Sequence, residues 1–464
     1  MTHRIESQSL AEAIAARAQQ EAAGAPGQFL PAPLAVEAEI RAAVAGAEAD
    51  GPRWLARLRR EGAEAFARQG FPTARNEDWH YTSTSAIAEA GYVSTVGPTG
   101  EVLPEQLRAF TFGQAAWPLV VFVNGRFDER LSRLDRLPDG VRVLPMARAM
   151  REQPDVLERM LGTIARAGDH PFVALNQAVF ADGALVVVKK EMEADAPVHL
   201  LFLSDATAAR TAAHARVLVC AERHSKLTVI ETHASTAEAP YLTNAVTEVD
   251  VADGATVTHL KVQRESARAF HVAHVQARQG RDSHFVQFSF AQGAKLSRAN
   301  VYTRLGGEGC GATLNGLYAV GGDQHCDHQT SIEHVEPNCY SRELYKGVLD
   351  GRSHGVFNGK VYVHPAAQKT DGKQTNNTLL LSDEARIDTK PQLEIFADDV
   401  KCTHGATVGR LDQTSLFYMK SRGIGDELAR KLLTYAFAAD VLETIELEPV
   451  RVGLEALTLE RYAG

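Results

Sequence analysis

The sequence predicts a mainly β protein, a long stack of short strands flanked by helical regions at either end of the chain. Three observations carry this. From about Trp117 to Leu411, short apolar strand patterns succeed one another, and no long helix-period segment separates them. Small-residue corners recur at Gly254-Ala255, Gly293-Ala294, Gly311-Ala312 and Gly405-Ala406, each leading into apolar alternation. The chain on either side turns rich in Ala, Glu, Leu and Arg, a helical composition. Roughly 290 residues of strand pattern exceed the ~100 of one β-sandwich domain. A β-solenoid is therefore favoured over a sandwich. The expected organisation is a helical region over 1–115, a β core over 116–411 and a helical domain over 412–464.

Residues 1–70 hold 20 alanines. Gly24-Ala25-Pro26-Gly27 and Pro31-Ala32-Pro33 break one helix from the next. Trp54, Leu55, Leu58, Ala65 and Phe66 recur at helix spacing between Pro52 and Gln69. Gly70 to Ser83, G-F-P-T-A-R-N-E-D-W-H-Y-T-S, is a turn-rich segment whose Trp79 and Tyr81 read as core packing. Pro118 to Asn124 is a buried strand, and Met160 to His170 a short helical interruption. After Pro171 the strand-like pieces include 184–188, 198–203, 215–221, 227–232, 247–251, 256–262, 285–290, 300–303, 313–320, 356–363, 378–381 and 393–397. Asp412 can cap a helix over Gln413–Ser421. Gly423-Ile424-Gly425 is a break. Asp426 opens a helix whose apolar stripe is Leu428, Leu432, Tyr435, Ala436, Ala439 and Leu442, ended by Pro449. Val452 to Tyr462 reads as a last short helix.

Composition excludes several classes. A net charge of −9 makes nucleic acid a poor partner. No apolar run approaches a membrane span. The first residues, M-T-H-R-I-E-S-Q, lack a signal-peptide core, so a cytoplasmic location is expected. Five scattered cysteines with no C-x-x-C pair fit a reducing compartment and argue against a disulfide framework or zinc ribbon. No phosphate-cradling G-x-x-x-x-G-K-[ST] occurs, since Gly355-Val-Phe-Asn-Gly-Lys360 lacks the spacing and the following hydroxyl. Dinucleotide-binding and nucleophile-elbow glycine motifs are also missing.

Two constellations could hold a metal. Cys402 and His404 lie two apart, so in a strand they share a face, with Gly405-Ala406 as a following corner. A thiol and an imidazole suit a borderline metal or an iron–sulfur edge, but two ligands are half of a four-ligand site. The competing reading is a small buried Cys beside a His that bonds a corner carbonyl. His325-Cys326-Asp327-His328 offers four candidate ligands, but a strand would put His325 and Asp327 on one face and Cys326 and His328 on the other. It reads as a turn or rim with local hydrogen bonds. Gln374 with Asn376-Asn377 reads as a hydrogen-bond ladder between coils.

Gly355 to Gly409, running from G-V-F-N-G-K-V-Y-V-H through F-A-D-D-V-K-C-T-H-G-A-T-V-G, resembles the most specific stretch of the SufB/SufD family of iron–sulfur assembly proteins, in its SufD branch. L-F-Y-M-K-S-R-G-I (416–424) and G-F-P-T-A-R-N-E-D-W-H-Y-T (70–82) extend the likeness over most of the chain. The resemblance implies a right-handed parallel β-helix core between helical regions and decides against the sandwich. It implies a non-catalytic scaffold subunit of a SufBCD complex. That subunit pairs with a SufB-like paralogue through the β-helices and recruits a SufC-like ATPase on its C-terminal domain. The complex builds a nascent cluster for apo-protein acceptors. The family's Cys-x-His falls on Cys402 and His404, with the His facing the partner's cysteine across the interface, around a transient cluster or iron. It also admits a homodimer in isolation, and a flavin in the assembled complex alone. The ATPase surface is assigned to Arg422, Gly423, Ile424, Gly425 and Arg430. The leucine stripe is expected on the solenoid end, and removal of residues 413–464 to leave the β-helix folded. A different class, a polysaccharide-active β-helix enzyme, would need an exposed carboxylate cluster, and Asp398-Asp399 alone supplies little of one.

Overall fold

A computed structural model describes residues 29–94 and 102–461. The Gly24–Gly27 break lies outside them. The core is a parallel β-solenoid of about eight turns, built from an 11-stranded and a 10-stranded sheet. Alternate strands of the chain go to alternate sheets, so each coil contributes one strand to each. Register is kept from coil to coil: Asn300 pairs with Gln329, and Gln329 with Asn358. Each coil takes roughly 30 residues, within the span expected of solenoid repeats.

Two faces of each strand have different work. In Leu242–Val251, Ala245, Val249 and Val251 point into the lumen core. Leu242 and Val246 point outward under helices. The 11-stranded sheet is covered by the N-terminal helices. Val36, Ile40 and Val44 of Leu34–Asp50, Ala63, Ala65 and Phe66 of Arg53–Gln69, and Phe172 and Leu175 of Pro171–Val179 pack over Leu242, Phe270, Val272 and Leu296. The 10-stranded sheet is covered by the C-terminal helices. Ala438, Val441 and Leu442 of Asp426–Leu442, with Val450 and Leu454 of Glu448–Arg461, pack over Ile230, Leu260, Val262, Phe288, Phe290 and Leu317. Exposed ion pairs lace consecutive coils along the rims, among them Arg281–Glu308, Arg304–Glu333 and Arg352–Asp323.

The solenoid, the buried Pro118–Asn124 strand, the Asp412-capped helix and the Gly423 break are as the sequence indicates. Several details differ. The helix near residue 165 lies later, over Pro171–Val179, because Pro171 takes its first turn and His170 accepts from the Phe172 amide. Pro449 starts the final helix instead of ending the one before it. Gly405-Ala406 and Gly311-Ala312 lie inside strands and are not corners. Tyr81 is exposed, whereas Trp79 is buried. The long C-terminal helix turns Ala429, Thr434, Ala438 and Val441 inward and leaves Leu428 and Leu432 exposed. Small residues on that face allow close approach to the side of a sheet, not to the solenoid end. Removing 413–464, expected to leave the β-helix folded, would uncover six apolar side chains of that sheet.

Candidate functional site: the open end of the solenoid

The last strand of each sheet, Arg386–Ile395 and Lys401–Gly409, pairs on one edge. The other edge of each has no strand partner among the described residues. Residues 403–410 are exposed throughout. A nine- or ten-residue unpaired edge on two sheets at once is a template for pairing with another chain unless something covers it.

Cys402 and His404 sit on this terminal strand, in register with Gly372 and Gln374 of the coil below. Gln374 is buried in the lumen, so both side chains rise on the lumen side of the last rung. They lie roughly 6.6–7 Å apart along the strand. His404 is exposed, and Cys402 is half-buried over the rung beneath. Gly372 makes that seat possible, since a Cβ there would come within 3.3 Å of Cys402 Sγ. Burial pushes the Cys402 thiol up, and Asp371 adds to it. The thiol is therefore held in its protonated form, while the imidazole of His404 is the more exposed of the two side chains. Among the described residues no three His, Cys, Asp or Glu side chains group around one ion position.

Below this rim the lumen is polar. Gln374 donates to Glu343 Oε2 at 2.7 Å, Tyr318 donates to Asn376 Oδ1 at 3.3 Å, and Asn376 donates to Thr389 Oγ1 at 3.0 Å. The ladder read from Gln374 and Asn376 is present, and Asn377 turns outward to Thr407. Burial raises Glu343 to about 7 despite hydrogen bonds with Thr330 and Gln374. Sequence reasoning passed over Glu343. Its signal was the shared strand face of Ser341, Glu343, Tyr345 and Leu349, a carboxylate in an inward series. Farther from the rim lies a second buried polar cluster. Burial opposes ionisation of Glu231, but hydrogen bonds from His233 and His259 hold it well below its ordinary range.

His325-Cys326-Asp327-His328 opens the strand His325–His334 and divides by face as strand geometry requires. It is neither turn nor rim. Cys326 and His328 are in the lumen. Asp327 accepts from Arg298 Nη1 and Thr82 Oγ1, each at 2.5 Å, and His325 Nε2 lies 2.8 Å from Thr82. Arg298 lies over the Trp79 ring at 3.7 Å. The N-terminal segment N-E-D-W-H-Y-T is thereby latched to the outer face of the solenoid.

At the C-terminal helices, Arg422 stacks on Tyr418, and Gly423 takes φ 83° to end the first helix. Gly425 begins the next helix, and Ile424 is half-buried between them. Arg430 pairs with Asp426, whose carboxyl is held at about 2 by Lys420 and Arg430. Phe417, Tyr418, Leu428 and Leu432 are all exposed large apolar side chains nearby. The sequence pattern left this stripe either packed on the solenoid or offered to a partner; Leu442 is packed inward and Leu428 and Leu432 are exposed.

No helix among the described residues is long and apolar enough to cross a membrane. Fold and site define a class: a parallel β-solenoid, helix-clad on both faces, with an uncapped last coil bearing a thiol–imidazole pair. The family model for the SufBD core domain of the SUF iron–sulfur cluster assembly system matches residues 202–437, and that for the SufBD N-terminal region matches 43–200. The chain belongs to the SufB/SufD family of iron–sulfur cluster assembly proteins. It is 33% identical over 403 residues to an iron–sulfur cluster assembly SufBD family protein of Synechocystis, covering 85% of this chain and 88% of the relative. It is 32% identical to the iron–sulfur cluster assembly protein SufD of Escherichia coli (86% and 92% covered). To the SufD protein of Bacillus subtilis it is 28% identical, with the same two shares covered.

Proposed function

We propose that this chain is a cytoplasmic scaffold subunit of an iron–sulfur assembly complex. Its open coil pairs with a SufB-like paralogue, and its C-terminal helices receive a SufC-like ATPase. The observation that carries the reading is the pair of unpaired terminal strands with Cys402 and His404 beside them. A half-site on an uncapped edge needs its remaining ligands from whatever covers the edge. Nascent cluster or iron is then the cargo of a shared site, with His404 as this chain's principal ligand and Cys402 as the weaker one. Arg422, Gly423, Ile424, Gly425 and Arg430, with exposed Phe417, Tyr418, Leu428 and Leu432, make the surface offered to the ATPase. ATP would act here through the partner, by shifting these helices against the solenoid. The finished cluster passes to apo-proteins. A flavin belongs to this scheme only in the assembled complex, and self-pairing of the same edges gives a homodimer when the paralogue is absent.

The test is co-expression with the paralogue and the ATPase, followed by iron and acid-labile sulfide assay of the purified complex. His404→Ala should leave the complex assembled and lower cluster yield at least ~tenfold, the scale on which disturbing a metal site acts. Full yield from a correctly assembled His404→Ala complex would sink the ligand role. Leu428→Asp with Arg422→Glu should release the ATPase and spare the paralogue, and the opposite pattern would move the docking surface elsewhere.

A further inference from the structure

Two of the five cysteines are neighbours in space although 29 positions separate them in sequence. Gly311 pairs with Tyr340, so Cys310 and Cys339 immediately precede paired residues and occupy the same corner of consecutive coils. The ladder runs through them: the Tyr340 amide donates to the Cys310 carbonyl at 3.0 Å, and the Asp371 amide to the Cys339 carbonyl at 3.0 Å. Neighbouring strands lie ~4.8 Å apart. That falls inside the roughly 4.4–6.8 Å Cα window of a disulfide. The sulfurs are directed at each other's surroundings. Cys310 Sγ donates to the carbonyls of Gly280 and Gly307, both at 2.9 Å, and Cys339 Sγ reaches the same Gly307 carbonyl at 3.3 Å. The two sulfurs thus share one acceptor at the same corner of consecutive coils.

Their cover is thin. Both side chains are buried, but above them lie Gly306-Gly307-Glu308-Gly309, of which Gly306 is exposed and the rest half-buried. Glu308 clasps that loop to the next coils through Arg281 at 2.6 Å and Asn338 at 2.9 Å, both at the solvent surface. The thiols are also unequal. Interaction with Cys339 pulls Cys310 down to about 7 and pushes Cys339 up. Of the two, Cys310 is the thiol that ionises more readily, the property of an attacking sulfur. Cys220 and Cys326, by contrast, are raised to about 12 by burial and have no thiol neighbour.

We propose that Cys310 and Cys339 form a peroxide-reactive dithiol site, at which a disulfide between consecutive coils closes on oxidation and reopens with thiol reductants. In the first step the Cys310 thiolate attacks hydrogen peroxide, its sulfur takes OH, and the departing hydroxide picks up a proton to become water. In the second step the Cys339 sulfur attacks the Cys310 sulfenic acid. The S–S bond forms, and the expelled hydroxide leaves as water with the Cys339 proton. Two thiols and one peroxide thus give one disulfide and two waters. A dithiol reductant reverses this by exchange, through a mixed disulfide. The site lies at a corner remote in sequence from Cys402 and His404 and does not depend on their proposed role.

The experiment uses the full chain, reduced, desalted without air and treated with hydrogen peroxide at neutral pH, then alkylated and digested. The expected product is a cross-linked peptide pair containing Cys310 and Cys339, lost on dithiothreitol treatment. Cys310 should lose alkylation roughly tenfold faster than Cys220 or Cys326, as a low-pKa thiol does beside buried ones. In Cys339→Ser, Cys310 should stop at a sulfenic acid trapped by dimedone. Circular dichroism of each variant checks that serine at these corners leaves the fold intact. Alkylatable Cys310 and Cys339 after Cys402 is fully oxidised would overturn the proposal. So would oxidation of Cys310 past the sulfenic state in the wild-type chain while Cys339 stays reduced.

Discussion

Glu343→Gln should stabilise the protein in alkali and do so progressively less as the pH falls. Glu343 is buried in the lumen under the open rim, where its Oε2 accepts from Gln374. Burial moves its carboxyl from the ordinary 4.5 to about 7. The folded state therefore binds a proton that the unfolded chain has released across this window. Stability falls as pH rises from 4.5 through 7, because the folded protein then has to ionise a buried acid. At 1.36 kcal/mol per decade the full cost is roughly 3 kcal/mol, reached above pH 8. Most of it is already present at pH 6, and a part on the order of 1 kcal/mol develops between pH 6 and 8.5. Glutamine is the neutral isostere. Its oxygen can still accept from Gln374, and its amide can donate towards Thr330. Denaturant unfolding of wild type and Glu343→Gln at pH 6 and 8.5 reads the difference directly, and other titrating groups cancel between the two chains. The stability gap should widen in favour of Glu343→Gln by on the order of 1 kcal/mol at the higher pH. Parallel pH profiles for the two chains would refute the claim that Glu343 is held neutral by its site.

Acid should act with the opposite sign. Burial lowers His271, His274, His325, His328 and His334 to about 4 and His199 to about 3. Each folded-state value lies below the unfolded 6.5, so stability is lost as pH falls from there, at up to about 1.4 kcal/mol per group per pH unit. Acid unfolding followed by circular dichroism should begin above pH 5, and a chain that keeps its stability down to pH 4 would contradict this. Arg298→Met should cost about 3–5 kcal/mol, because it strands the Asp327 carboxylate in a buried setting. The N-terminal segment should then become protease-sensitive, as its Trp79 loses the cation above it, and unchanged proteolysis would argue against the latch.

What was legible in the sequence follows from what the lumen contains. Strands with apolar inward faces, such as Asp182–Val188 and Ala215–Ala221, stand out as alternation. Phe270–Gln279, His325–His334 and Tyr340–Leu349 do not, because His271, His328, Thr330, His334 and Glu343 occupy inward positions where the pattern expects aliphatics. A polar residue in such a place finds its partner across the lumen or in a neighbouring coil, as His334 does in Ser341 and Glu343 in Gln374, and those juxtapositions are set by the tertiary fold. Glycine misled for a related reason. Gly316 and Gly347 sit mid-strand where a Cβ would come within 2.4 Å of Tyr345 and 2.3 Å of Tyr318, so they make room for rings that fill the lumen. Read from sequence alone, the same residue type means a corner. Cys402 and His404 could be placed on one face from their spacing, since period two is local. That the face belongs to the last, uncovered rung could not, because it depends on where the stack of coils stops. The C-terminal helix shows the limit most clearly. Its leucines formed the stronger apolar stripe, yet Ala429, Ala438 and Val441 face the sheet, since the close approach of a helix to a flat β surface rewards small side chains. Leucines pushed outward by that choice are then left over in solvent. The exposed leucines beside Arg422 and Arg430 therefore follow from what the other side of the helix packs against and are not a packing defect.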